Sequence, residues 1–147
     1  MNDARRRIAA CLLVALPGAP AWAACVEATE DMPRTCSSRL PGVAAVAVTE
    51  DRLPSAPDAE RWADCQRFRV TAATVRRFVA RARQVDDPRG EAALDRGPCH
   101  ALGSLRFADG RRATWRLDQA GTMTLAFEDG DPSVNLVCAR CAGAPFR

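Results

Sequence analysis

The chain has 147 residues and a formal net charge of +3, and only 5% of its residues are aromatic. All 21 basic residues are arginine, and the sequence contains no tyrosine. This bias is typical of a GC-rich bacterial genome, so abundant arginine is by itself weak evidence for an anion-binding site. Nucleic-acid-binding domains usually carry a clear basic excess, and we therefore expect no nucleic acid among the partners.

Residues 1–23 have the three parts of a secretory signal peptide. Arg5, Arg6 and Arg7 form a positive N-terminal region, residues 8–16 form an apolar core, and Ala21-Trp22-Ala23 supplies small residues at a cleavage point. The apolar core is too short to span a membrane, which takes about 20 residues. We expect a periplasmic or secreted protein without a transmembrane segment, whose mature chain carries 18 arginines and 17 acidic residues.

A second interpretation of this region places a lipid anchor on Cys25, in the inner or outer membrane. The order Ala23-Ala24-Cys25 resembles the end of a lipoprotein signal, but Trp22 stands where a leucine-like residue normally precedes the small pair. Cysteine parity favours plain secretion. Cys11 leaves with the signal peptide, and lipidation of Cys25 would leave an odd number of thiols among the remaining six cysteines.

Six cysteines in an exported chain of this size predict structural disulfide bonds. The candidates are Cys25, Cys36, Cys65, Cys99, Cys138 and Cys141. Cys25 and Cys36 are close enough in sequence to close a local loop. We expect Cys138 and Cys141 each to reach a different partner among Cys65 and Cys99.

In chain order, residues 24–63 are predicted to form an irregular, proline-rich N-terminal lead, and residues 64–147 a compact α+β domain. Four prolines lie between Pro33 and Pro57, and the apolar run at residues 43–48 is the one candidate for an edge strand.

A helix follows, with Thr71 or Thr74 as its cap. Val75, Phe78, Val79 and Ala82 form one apolar stripe at helical spacing. Residues 86–90, with Pro88 and Gly90, are predicted to end the helix. The other face carries a candidate partner surface: Arg76, Arg77, Arg81 and Arg83.

Residues 102–141 change to a period of two and predict four short strands. Asp109-Gly110 is a hairpin turn signal between the first two, and one face of the predicted sheet is apolar while the other is polar. We predict an α+β fold in which one amphipathic helix packs on a four-stranded antiparallel meander, stabilised by disulfides.

A set of short motifs runs through residues 62–146 in a fixed order. They are Cys65, Phe68 and Thr71, residues 93–99 (Ala-Leu-Asp-Arg-Gly-Pro-Cys), residues 103–107 (Gly-Ser-Leu-Arg-Phe), Asp109-Gly110, Trp115, Cys138-Ala-Arg-Cys141 and Pro145-Phe146. This layout resembles that of a family of small, uncharacterised exported proteins of proteobacteria. The resemblance implies a periplasmic location and this architecture, and it implies no activity.

The motifs favour a protein without catalytic residues or a cofactor. His100 is the only histidine, so nucleophilic catalysis with a histidine base would have to use this residue, which we expect to be a solvated residue beside a turn. Cys138-Ala-Arg-Cys141 has redox spacing but ends a strand, whereas redox cysteines typically begin a helix. We therefore predict a non-catalytic exported binding module for another protein or an envelope component, with an immunity-type or inhibitor protein as a specific form.

The alternative is a thiol–disulfide redox protein or a cysteine-ligated metal protein that uses Cys138 and Cys141. A metal site would add Cys99 and either Cys65 or His100 as further ligands.

Overall fold

The computed structural model describes residues 24–58, 63–86 and 94–146. The predicted signal peptide lies outside the described residues, as do residues 87–90 of the predicted helix terminator. The described part of the chain contains one α-helix, a short 3-10 helix at Cys65–Arg67 and eight strands. The helix α1 spans Ala72–Arg81, and the strands are β1 (Cys25–Val26), β2 (Thr35–Ser37), β3 (Val43–Pro54), β4 (Arg83–Val85), β5 (Cys99–Phe107), β6 (Arg112–Asp118), β7 (Thr122–Phe127) and β8 (Val134–Val137).

All eight strands form one antiparallel sheet in the order β1-β2-β4-β8-β7-β6-β5-β3. The predicted fold class, an α+β fold with a four-stranded meander, is therefore wrong: the described residues form mostly antiparallel sheet, with one short α-helix among them. Strands β5 to β8 lie side by side in chain order, and four further strands extend the sheet on both sides. Three of these four come from residues 25–54, where we expected an irregular lead.

The additional strands were missed for two physical reasons. β1, β2 and β4 contain only two or three residues each, which is too few for an alternation of apolar and polar side chains to show. β3 begins with the apolar run that we expected to be an edge strand, and it does lie at an edge, beside β5. Its second half continues through the polar residues 49–52, because water reaches an edge strand and no apolar pattern is needed there.

The core lies between one face of the sheet and α1. Alternate residues of β5, β6 and β7 face it, since successive side chains of a strand point to opposite sides. Leu117 and Leu125 are fully buried. The Trp115 indole lies across β5 at Gly103, where an added Cβ atom would overlap both the ring and the Ala47 carbonyl oxygen.

The helix begins at Thr71, whose hydroxyl accepts the Thr74 backbone N–H at 3.2 Å, while the Thr71 N–H donates to the Thr74 hydroxyl. It buries Val75, Phe78 and Val79 against the sheet. It ends earlier than predicted, because Ala82 is already extended and leads directly into β4.

The C-terminal segment returns to the helix. The Phe146 ring lies 5.6 Å from that of Phe78 and 6.4 Å from that of Phe68, measured between ring centroids. This contact holds the segment after β8 against α1 and the residues just before it. The last two cysteines therefore lie beside α1.

Candidate functional site

Three disulfide bonds join the six cysteines of the described chain. The prediction that these cysteines form disulfides is confirmed. Cys25 pairs with Cys36, which is the expected local bond. The expectation that Cys138 and Cys141 bind Cys65 and Cys99 is wrong, because the structure contains the pairs Cys65–Cys99 and Cys138–Cys141.

The sheet explains the incorrect pairing. Cys99 opens β5 and Cys138 follows β8, and these strands are separated by β6 and β7. Three strand spacings amount to about 14 Å, whereas the Cα atoms of a disulfide lie about 4.4–6.8 Å apart. The period-two pattern predicts the strands along the chain. It does not predict that β6 and β7 lie between β5 and β8 and so keep these two sulfurs apart.

Residues 138–141 form a tight turn, named here the C-terminal turn. The Cys138 N–H donates to the Gly121 carbonyl at 3.0 Å, and the Cys141 N–H donates to the Cys138 carbonyl at 3.2 Å. Cys138 is buried, with 7% exposure, and Cys141 is half-buried. Arg140 projects from the turn and is exposed.

The four arginines predicted to form a partner surface divide into two kinds. Arg76 donates to the Val43 carbonyl at 2.8 Å and to the Ala44 carbonyl at 3.2 Å, so it ties α1 to β3. Arg83 donates to the Thr35 hydroxyl at 3.1 Å and to the Thr35 carbonyl at 3.0 Å, so it ties β4 to β2. These two guanidinium groups are engaged in holding the sheet together.

Arg77 and Arg81 have a different environment. Together with Arg140 they border a small hollow of about 120 Å³ that also contacts Cys141 and the Phe146 ring. Within the described residues, no hydrogen bond or ion pair joins any of these three guanidinium groups to another group. We call Arg77, Arg81 and Arg140 the arginine surface. Arg140 was not among the predicted residues, although its position inside the CxxC motif was a usable signal.

An apolar groove adjoins the arginine surface. It has a volume of about 460 Å³ and lies between the β1–β2 segment and the C-terminal turn. Val26 and Met32 line it, and they are the large apolar side chains most open to water in the described chain, at 56% and 38% exposure. Arg81 and Arg140 border this groove as well as the hollow. Its remaining apolar lining consists of Pro33, Val137 and Ala139.

One acidic side chain also lines the groove. The Glu27 carboxylate lies 3.5 Å from the Arg34 guanidinium, which in turn lies 3.2 Å from the Asp86 carboxylate. Glu27 is therefore already partnered, and the border next to the disulfide stays positive.

The metal ligands considered from the sequence do not come together. Among the described residues, the one cluster of three metal-capable groups consists of Cys25, Cys36 and Asp86. Both sulfurs of that cluster are bonded to each other, and the carboxylate is paired with Arg34. Cys138 and Cys141 do not gather with Cys99, Cys65 or His100.

The only histidine lies in a buried polar cluster rather than in a solvated turn. His100 is 8% exposed, and its Nδ1 atom lies 3.3 Å from the Ser55 hydroxyl. Arg116 donates to Ser55 at 3.3 Å and to the Asp118 carboxylate at 2.9 Å. Because the hydroxyl accepts from Arg116, its hydrogen is available to Nδ1. The cluster links the end of β3 to β5 and β6, and we interpret it as structural.

Burial and charge set the protonation states in this cluster. Burial lowers the pKa of His100 below its ordinary 6.5, and the positive charge of Arg116 acts in the same direction. Burial raises the pKa of Asp118 above 3.8, against the opposing effect of its hydrogen bonds from Arg116. The neutral imidazole is thus favoured by the fold.

No protein-family model, curated protein or solved structure matches this chain. The resemblance to a family of exported proteins therefore stays a prediction. No helix among the described residues is long and apolar enough to cross a membrane. The three disulfides are compatible with an oxidising compartment.

Proposed function

We propose that this chain is a non-catalytic exported protein that binds another protein or an envelope component through the arginine surface and the apolar groove. An inhibitor or immunity-type protein that holds a periplasmic enzyme is one form of this function. The observation that carries the proposal is the position of Arg81 and Arg140, which have no hydrogen bond or ion pair among the described residues, on the border of a groove that exposes Val26 and Met32. Protein interfaces combine an apolar centre with a polar rim, and arginine is enriched among their strongest contacts.

The charge of the border indicates the chemistry of the partner. Arginine presents a planar fork of donors that fits a carboxylate with two parallel hydrogen bonds. An acidic segment that also carries a bulky apolar side chain would pair with the arginines at the border and place its apolar side chain in the groove. We therefore expect the partner to contribute aspartate or glutamate beside an apolar residue.

The two edges of the sheet favour a groove over strand addition as the binding mode. β1 contains only two residues. β3 has three register irregularities against β5, and Arg52 within it has a positive φ of 59°. Short and bulged edge strands are means by which proteins prevent another strand from pairing, so a partner finds few regular backbone groups at either edge.

Charge reversal tests the proposal. The mature protein is immobilised and exposed to periplasmic extract, and retained proteins are crosslinked and identified. The double variant Arg81→Glu and Arg140→Glu should lose the retained partner, with affinity for the purified partner reduced more than about 10-fold, because like charges then face each other. Arg69→Glu is the matched control, since Arg69 is exposed and lies before α1, outside the groove lining.

Salt provides an independent measurement of the same contact. The screening length falls from about 8 Å near 0.15 M salt to about 3 Å at 1 M, so the affinity should fall as salt rises. Equal retention of the same partner by the wild-type protein and the Arg81/Arg140 variant would contradict the proposal. So would the failure to retain any partner after crosslinking.

A further inference from the structure

We propose that the Cys138–Cys141 bond is an exchangeable disulfide that reacts with anionic thiolates, and that the arginine surface guides them to Cys141. This activity goes beyond the binding function proposed above. Four features of the bond support this activity: the short loop that it closes, the different burial of its two sulfurs, the charge around it and the contacts that hold the turn without it.

The short loop makes the bond a weak structural crosslink. Its two cysteines are three positions apart, whereas Cys25–Cys36 spans 11 and Cys65–Cys99 spans 34. A disulfide stabilises a fold largely by restricting the unfolded chain, and the restriction grows with the length of the loop. Of the three bonds, Cys138–Cys141 is therefore expected to stabilise the fold least.

Burial assigns the roles of the two sulfurs. A thiolate must approach one sulfur from the side opposite the other, and only an accessible sulfur permits this approach. Cys141 is half-buried and borders the small hollow, whereas Cys138 is 7% exposed. Attack is therefore expected at the Cys141 sulfur, with the Cys138 sulfur as the leaving group.

The surrounding charge favours this reaction at both ends. Arg77, Arg81 and Arg140 border the same hollow as Cys141. A cluster of positive charge attracts an anionic nucleophile to Cys141, and it stabilises the Cys141 thiolate that leaves when the mixed disulfide is resolved. A thiol with a lower pKa is also the faster leaving group in thiol–disulfide exchange. The arginines thus supply the positive field that a helix N-terminus supplies in other redox motifs.

The turn is held in place by contacts that do not depend on the bond. The Cys138 N–H remains bonded to the Gly121 carbonyl, and Phe146 packs on Phe78 and Phe68 on the far side of the motif. The chain is thus anchored before and after the two cysteines. After reduction, the two thiols stay close to each other, which a reversible exchange requires.

The exchange is balanced with a dithiol of a partner protein as the co-reactant. Its first thiolate attacks the Cys141 sulfur, the Cys138–Cys141 bond breaks, and the bonding electron pair leaves on the Cys138 sulfur. The second partner thiolate then attacks the partner sulfur of this mixed disulfide, and Cys141 leaves as a thiolate. The partner loses two electrons and two protons, and Cys138 and Cys141 gain both on reprotonation.

Small thiols test this without any partner protein. The oxidised mature protein is mixed with anionic mercaptoacetate, neutral 2-mercaptoethanol or cationic cysteamine, quenched by alkylation, and mapped by mass spectrometry. Rates are expressed per thiolate and divided by the rate of the same thiol with an uncharged small-molecule disulfide, because a thiol of higher pKa gives the stronger nucleophile. Cys138–Cys141 should open first, at low salt about 10-fold faster with mercaptoacetate than with cysteamine, and this preference should disappear near 1 M salt, where charges are screened.

Variants separate the arginines from the rest of the surface. The change of Arg77, Arg81 and Arg140 to Gln should abolish the preference for mercaptoacetate, whereas Arg69→Gln should retain it. Far-ultraviolet circular dichroism should be unchanged once Cys138–Cys141 alone is reduced.

Three results would overturn the proposal: earlier opening of Cys25–Cys36 or Cys65–Cys99, equal rates for the three thiols at low salt, or loss of secondary structure on selective reduction. Since no binding partner is present in these assays, each of these results leaves the binding proposal to be judged by its own experiment.

Discussion

Two disulfides at the same end of the central strands, separated across the sheet by β6 and β7, show how differently the same bond can act. Cys65–Cys99 joins the 3-10 helix before α1 to the first residue of β5, and both sulfurs belong to the buried core. Cys138–Cys141 closes a turn in which Cys138 is buried and Cys141 reaches the surface, beside three arginines that have no hydrogen bond or ion pair among the described residues. Loop length and burial, rather than the presence of cysteine, decide which bond holds the fold and which is open to chemistry.

The largest expected effect compares these two bonds directly. Removal of the first by Cys65→Ala with Cys99→Ala should lower the free energy of unfolding by about 4 kcal/mol, and removal of the second by Cys138→Ala with Cys141→Ala by about 2 kcal/mol, from the loop lengths alone. Urea unfolding of the two double variants measures both values. Equal losses would show that the C-terminal bond is as structural as the buried one.

A second prediction tests how tightly the region around the buried bond is packed. Gly103→Ala should cost about 2–3 kcal/mol of unfolding free energy, because its new Cβ would overlap Trp115 and the Ala47 carbonyl, and overpacked cores are strained. Gly42→Ala is the matched control, since a Cβ there meets nothing within 4 Å. Thermal unfolding of both variants is the measurement, and a similar melting temperature for the two would contradict this account of the core.

The packed region was also the more predictable from sequence. Alternation over β5 to β8 predicted one apolar face, on which the buried Leu117 and Leu125 lie, and of the two predicted caps, Thr71 and Thr74, the structure uses Thr71. Strands of two or three residues, such as Cys25–Val26, carry too little pattern to be recognised. They form because neighbouring strands offer free backbone groups, and this information lies in the tertiary structure.

The candidate site was less predictable, since it depends on pairings between distant residues. Six cysteines allow 15 sets of disulfides, and the strand order that excludes most of them is absent from the local pattern. Helical periodicity places Arg76 and Arg77 on the outer face alike. It does not show that the Arg76 guanidinium turns back to the Val43 carbonyl while Arg77 faces the hollow beside Cys141.

These adjacent arginines allow a third and smaller test. Arg76→Ala should lower the free energy of unfolding by about 1 kcal/mol, because it removes hydrogen bonds from a charged group to carbonyls of β3. Arg77→Ala should change it by less than about 0.5 kcal/mol, as is usual for a surface residue without partners. Chemical denaturation of the two variants is the measurement, and binding assays should give the opposite order. If Arg77→Ala proves the more destabilising, the division between structural and available arginines is wrong.

The smallest effect is a dependence on pH, which should arise beside Cys65–Cys99. His100 follows Cys99 directly and faces Ser55 and Glu50 of the β3 segment and Arg116 and Asp118 of β6. Because burial lowers its pKa in the fold below the unfolded value of 6.5, the unfolded chain binds the proton more readily. The stability that neutral His100 contributes is therefore fully present above pH 6.5 and is lost as the pH falls through the folded pKa.

The contribution of Asp118 to stability changes with pH in the opposite direction, over a more acidic pH range. Its folded pKa lies above the unfolded 3.8, so its contribution is present below pH 3.8 and is lost as the pH rises through the folded pKa. Between about pH 7.5 and pH 5.5 the histidine should dominate, since its unfolded pKa lies in that window. The urea midpoint should fall over this interval, and His100→Asn, whose amide stays neutral and can occupy the Nδ1 position, should flatten the fall. A fall of the same size in His100→Asn would assign the pH dependence to groups outside this cluster. The Cys138→Ala/Cys141→Ala variant is the control. It should keep the full pH dependence, because the C-terminal turn is separated from His100 by β6 and β7.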